Sequence, residues 1–170
     1  MMLQSSLPPD NPASAIRAPG HALAELDDHP ACEKLLCVLR PATGRAAQAL
    51  GLAEGETIIH LRTLRRISDG GLCLTERYFA DLNLWPALQR FERGSPLQYT
   101  ARHMPQPLVH VHARIGTRRA RARESDLLEV PVMTPLLCVE TLKSPQSNGC
   151  AAVYAASLIR ADAIEFTFEH

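Results

Sequence analysis

Residues 57–79 restrict the fold more than any other part of the chain. TIIHLRTLRRI (57–67) is rich in β-branched residues, SDGG (68–71) has Asp-Gly at its centre, and LCLTERYFA follows as a second apolar run. Two strand-like runs joined through Asp-Gly predict a β-hairpin. A lone hairpin is at best marginally stable in water, so this one must belong to a larger, mainly antiparallel sheet.

The other segments fit such a sheet. LLCVL (35–39) reads as a short buried strand, and TGRAAQALG (43–51) as a helix with Thr43 as its cap and Gly51 as its stop. Residues 82–91 predict a second helix with Trp85 and Phe91 as core anchors, and 94–101 a third. A strand at 107–118, a helix near 119–130, and strands at 135–144, 150–162 and 163–170 complete the reading, with PQSNG (145–149) as a turn. Strands in hairpins mixed with a few helices give an α+β domain with a mostly antiparallel sheet flanked by helices. Residues 1–30 hold five of the thirteen prolines and few large apolar side chains. They read as a flexible tail or linker, with the folded body at 31–170.

Composition narrows the function classes. Eighteen basic residues balance eighteen acidic ones, whereas a wholesale nucleic-acid binder carries a basic excess. No apolar run approaches the roughly 18 residues of a membrane span, and the N-terminus lacks the pattern of a secretory signal. The five cysteines include no CxxC pair, which fits a reduced, cytoplasmic protein.

Several residues invite a chemical role. Arg62 and Arg66 share one face of their strand with Leu64, about 13 Å apart at the ordinary strand rise. They could frame an anion from two ends or simply form surface ion pairs. Glu76, on the returning strand, could bind ligand hydroxyl or amine groups beside them, or pair across the hairpin. His110 and His112 share one strand face and could ligate a metal, but no third ligand accompanies them, so no metal is expected. Arg114, Arg118, Arg119, Arg121 and Arg123 could meet phosphates, although Glu124, Asp126 and Glu129 offset them and favour a solvated face. ATGRAAQALGL starts like a helix-turn-helix, yet the next segment is β-branched and not a recognition helix. No nucleophile elbow, P-loop or dinucleotide fingerprint occurs, so no catalytic residue or cofactor is expected.

Read together, EKLLCVLRPATG, ALGLAEGETIIHLRTLRRI, CLTERYFADLNLWPALQRF, MTPLLCVETL and SLIRADAIEFTFEH resemble the UTRA effector-binding domain of GntR-superfamily regulators of the HutC subfamily. Within that family the chain is most similar to regulators of phosphonate utilisation. The resemblance covers about Glu33 to His170 and implies a chorismate lyase-like fold with a ligand cleft. It implies a non-catalytic sensor that binds a small anionic effector, pairs as a homodimer and meets operator DNA only through an N-terminal winged helix-turn-helix. Such a domain needs about seventy residues, and only about thirty precede the sensor, so this chain is not expected to bind an operator by itself.

The family's sugar-phosphate sensors hold phosphate with an Arg-x-Arg pair, a Glu ten residues later and a Ser in a Gly-Ser turn. Arg66, Glu76 and Ser95 match the second Arg, the Glu and the Ser. Leu64 stands where the first Arg would be, and Arg62 is the candidate substitute. Val153 and Ile159 replace a Glu and a Tyr of the family's penultimate strand. These departures favour a compact phosphonate or phosphate ester over a sugar phosphate. A lyase-like enzyme, and a stand-alone sensor that heterodimerises with a full-length regulator, are the alternatives.

Overall fold

A computed structural model describes residues 28–67, 70–146 and 150–164. Most of the expected tail, the first half of the SDGG turn, most of the PQSNG turn and most of the expected last strand lie outside the described residues.

Among the described residues six strands form one sheet: β1 (Glu33–Pro41), β2 (Thr57–Arg66), β3 (Leu72–Phe79), β4 (Leu108–Arg119), β5 (Pro135–Pro145) and β6 (Val153–Arg160). Their spatial order is β1-β2-β3-β6-β5-β4, and every neighbouring pair is antiparallel. β2 and β3 form the predicted hairpin, in register Arg62 to Glu76 and Leu64 to Leu74. Among the described residues there are four α-helices: α1 (Gly44–Leu50), α2 (Trp85–Arg90), α3 (Pro96–Ala101) and α4 (Ala122–Leu128).

Strand alternation separates two faces. On one, Ile59, Leu61, Phe79 and Val153 pack against Leu84, Leu88 and Phe91 from the segment around α2, with Leu97 and Tyr99 of α3 beside them. On the other, α1 packs Ala46, Ala47 and Leu50 over Ile58 and Tyr154. α4 packs Leu128 over Leu74, Leu136 and Leu158 on the same face. Two helices on one face thus stand apart over the middle of the sheet.

Local details depart from the sequence reading for identifiable reasons. The helix expected at 82–91 divides into a 3-10 turn at Leu82–Leu84 and α2, with Pro86 in the first turn of α2. Proline has no N–H to continue an earlier helix but fits a first turn. Phe91 is buried as expected, whereas Trp85 is only partly buried against the same cluster. Thr43 occupies the cap position of α1, but its side chain makes no capping hydrogen bond. The Glu54 carboxylate accepts from the Gly44 N–H at 2.8 Å instead. Gly51 ends α1 at φ 66°, in the left-handed region open to glycine. His110 and His112 do not share a face. The register slips at Val111, so His110 opposes Lys143 and His112 opposes Leu142, neighbours whose side chains alternate.

All five cysteines are free. Among the described residues no helix is long and apolar enough to cross a membrane, and no group of three His, Cys, Asp or Glu side chains could hold a metal ion.

Candidate functional site

A cavity of about 530 Å³ lies over the sheet on the face covered by α1 and α4. Its floor follows from register. Arg62, Glu76, Ala156 and Glu140 stand in one row across β2, β3, β6 and β5. Ile58, Tyr78 and Tyr154 line the end nearer α1, and Cys138 and Leu158 the end nearer α4. Arg45 enters from α1 and Arg40 from the end of β1, while Arg118, Arg121 and Glu124 enter from the β4–α4 junction.

Glu76 organises the floor. Its Oε1 accepts from Arg62 Nε at 2.7 Å, and its Oε2 is bonded to His60 Nε2. Burial alone would raise the Glu76 pKa, but the hydrogen bonds and charges of His60 and Arg62 outweigh it and lower the pKa. Glu76 is therefore a carboxylate at neutral pH. His60 is 2% exposed and stacks on Tyr78 with ring centroids 4.7 Å apart. Its buried Nδ1 has no hydrogen-bond partner among the described residues. Both Glu76 oxygens are thus engaged from within the protein, and Arg62 spends only Nε on them. Arg62 also lines the cavity, with no hydrogen bond from its two terminal nitrogens among the described residues.

Two further clamps fix the walls. Arg45 Nε and Nη2 donate to Glu140 Oε2 at 3.2 and 3.0 Å, tying α1 to β5. Arg118 grips Glu124 through two bonds of 2.6 Å. That pairing, with the Arg121 N–H donating to Glu124, lowers the Glu124 pKa against a smaller effect of burial. Burial and the neighbouring Glu140 carboxylate push the Tyr154 phenol well above its ordinary value, so it stays protonated.

Five guanidinium groups meet three carboxylates around this cavity, leaving a surplus of two positive charges. Among the described residues Arg40 and Arg121 form no ion pair. A cavity of that charge, with two aromatic rings and short aliphatic side chains in its lining, suits a small anion with a modest organic part.

Of the four residues singled out from the sequence, Arg62 and Glu76 meet in the cavity. Arg66 does not line it. This side chain is exposed at the end of β2, and its Nη1 donates to the Gly70 carbonyl at 3.0 Å. Ser95 does not line it either. It caps α3, accepting from the Gln98 N–H at 3.0 Å and donating to the Asp28 carboxylate. Asp28 also accepts from the Leu97 N–H at 3.0 Å, so this cluster fastens the start of the described chain to α3. Val153 and Ile159 are buried in core clusters on the opposite sheet face. Arg118 and Arg121, read from sequence as part of a solvated run, line the cavity. Sequence reasoning passed over Arg40, Arg45, Glu140 and Tyr154. Arg45 and Glu140 meet across 95 residues, and no local pattern signals such a pair.

Comparison with known proteins places this geometry in a family. The UTRA domain matches residues 25–165. The chain is 50% identical over 163 residues to the probable transcriptional regulator PhnF of Escherichia coli strain K12, covering 96% of this chain and 68% of that protein. It is similar to the crystal structure of the PhnF C-terminal domain, with 49% identity and a TM-score of 0.81, covering 95% of this chain and 100% of that one. The effector domain of PhnF from Mycobacterium smegmatis shares the fold at 20% identity and a TM-score of 0.67, covering 92% and 96% of the two chains.

Proposed function

Because the chain belongs to the UTRA domain family, we propose that it is the effector-sensing part of a PhnF-like, GntR-family transcriptional regulator, and that the cavity between α1 and α4 receives a small phosphonate or phosphate ester. The reading is of a regulatory module and not an enzyme, since the relatives are transcriptional regulators.

The observation that carries the effector class is the arginine surplus around one cavity. In this reading Arg62 presents its free nitrogens to the anion, and Glu76 orients Arg62 without touching the ligand. Arg66 and Ser95, which the family resemblance also assigns to the site, would join it only if they leave the Gly70 and Asp28 contacts described above. The effector acts by its differential affinity for two states of the regulator, and operator DNA is met through a winged helix-turn-helix of the same regulator. Work in the cytoplasm as a homodimer completes the proposal. Support for pairing comes from β4, an edge strand whose Val109, Val111 and Ile115 are exposed.

Isothermal titration of methylphosphonate and 2-aminoethylphosphonate against glucosamine 6-phosphate tests the effector class. Tighter binding of the phosphonates is expected; tighter binding of the sugar phosphate overturns the reading. Sedimentation tests the pairing, and a monomer at micromolar concentration removes it.

A further inference from the structure

Three internal clamps engage three of the five arginines around the cavity. Arg62, Arg45 and Arg118 each hold a carboxylate. Arg40 and Arg121 line the same cavity, are exposed, and form no ion pair among the described residues. They come from separate elements. Arg40 stands at the end of β1, next to α1, and Arg121 stands at the start of α4. Between them lies the row of Arg62, Glu76 and Glu140, whose own charges are already matched.

We propose that Arg40 and Arg121 are the cavity's charge-selecting residues, so that it takes a ligand with two negative charges and discriminates against the same group carrying one. This rests on the reading of the cavity as an anion site. The physical reason is local neutrality. A monoanion would leave one guanidinium of the rim without a counter-charge, whereas a phosphonate dianion neutralises both through charge-assisted hydrogen bonds. The clamped arginines cannot make up the difference, because redirecting one would strand a partly buried carboxylate. Charge selection is thus assigned to the two exposed side chains of the rim and shape selection to the hydrogen-bonded floor.

The test is titration of the whole chain at pH 8.5 with methylphosphonate, doubly ionised there, and with its monomethyl ester, the same tetrahedral group with one charge. The wild type should bind the dianion at least about tenfold more tightly. Arg40→Gln and Arg121→Gln should each weaken methylphosphonate roughly 10- to 100-fold, the range for losing a charge-assisted hydrogen bond. The double variant should bind the two probes within about twofold of each other. Both side chains are exposed and lack ion pairs, so thermal melts should be unchanged, and Arg90→Gln on the far face of the sheet should bind like wild type. Equal binding of the two probes by wild type, or unchanged methylphosphonate binding by both single variants, overturns the inference while leaving the anion site standing. Absence of binding of either probe to wild type overturns the anion site and this inference with it.

Discussion

Replacing Glu76 by Gln tests the floor of the cavity with almost no change of shape. In the wild type Oε1 accepts from Arg62 and Oε2 is bonded to His60, with the Glu76 side chain 18% exposed and His60 2% exposed. A glutamine can accept from only one of these donors, and its amide N–H₂ then faces the other. The variant loses one charge-assisted bond, turns a second into a neutral acceptor, and leaves the Arg62 charge unmatched at 13% side-chain exposure. A hydrogen bond to a charged group is worth about 1.5–3 kcal/mol, and partial exposure moderates the loss, so about 2 kcal/mol of stability should disappear at pH 7. For a domain of this size that lowers Tm by roughly 4–8 °C. Urea unfolding from pH 3 to pH 8 is the assay. The folded-state pKa of Glu76 lies below its ordinary 4.5, so its contribution is present above that value and fades as the pH falls through the lowered folded-state pKa. The gap between wild type and Glu76→Gln should therefore be constant above about pH 5 and narrow toward pH 3. A variant within about 0.5 kcal/mol of wild type at pH 7 would refute the reasoning, because the pair would then behave as an ordinary solvated contact.

Three further outcomes follow from the same geometry. Arg62→Ala should weaken methylphosphonate at least about tenfold by titration calorimetry, while Arg66→Ala, outside the cavity, should change it by less than about twofold. Ser95→Ala should cost about 1 kcal/mol of stability by urea unfolding, through loss of the α3 cap, and leave ligand affinity unchanged. Leu74→Ala, at a side chain 1% exposed beneath α4, should cost about 2–5 kcal/mol in the same experiment.

The sheet was legible because its signals are local. Asp-Gly between a β-branched run and an apolar one predicts the hairpin, and strand alternation puts Arg62 and Arg66 on one face of β2. Register then decides which of them meets Glu76, and register is a property of the paired strands. Glu76 stands opposite Arg62, while Arg66 stands opposite Leu72 at the far end of the hairpin. The bulge at Val111 shows the same limit, since one extra residue separates His110 from His112 and no sequence pattern marks it. The walls of the site were illegible for another reason. Arg45 on α1 and Glu140 on β5 become neighbours only because α1 packs over β6, through Ala46 and Ala47 against Tyr154. The arginine run after β4 looked solvated because acidic residues follow it closely. One of them, Glu124, instead clamps Arg118 into the cavity wall and accepts from the Arg121 N–H, while the Arg121 guanidinium forms no ion pair among the described residues.

The most direct test is a crystal structure of the chain with methylphosphonate. The account predicts the phosphonate group between α1 and α4, within hydrogen-bond distance of the Arg62 terminal nitrogens and facing Arg40 and Arg121. A phosphonate bound at Arg66 or Ser95, with that cavity vacant, would contradict it.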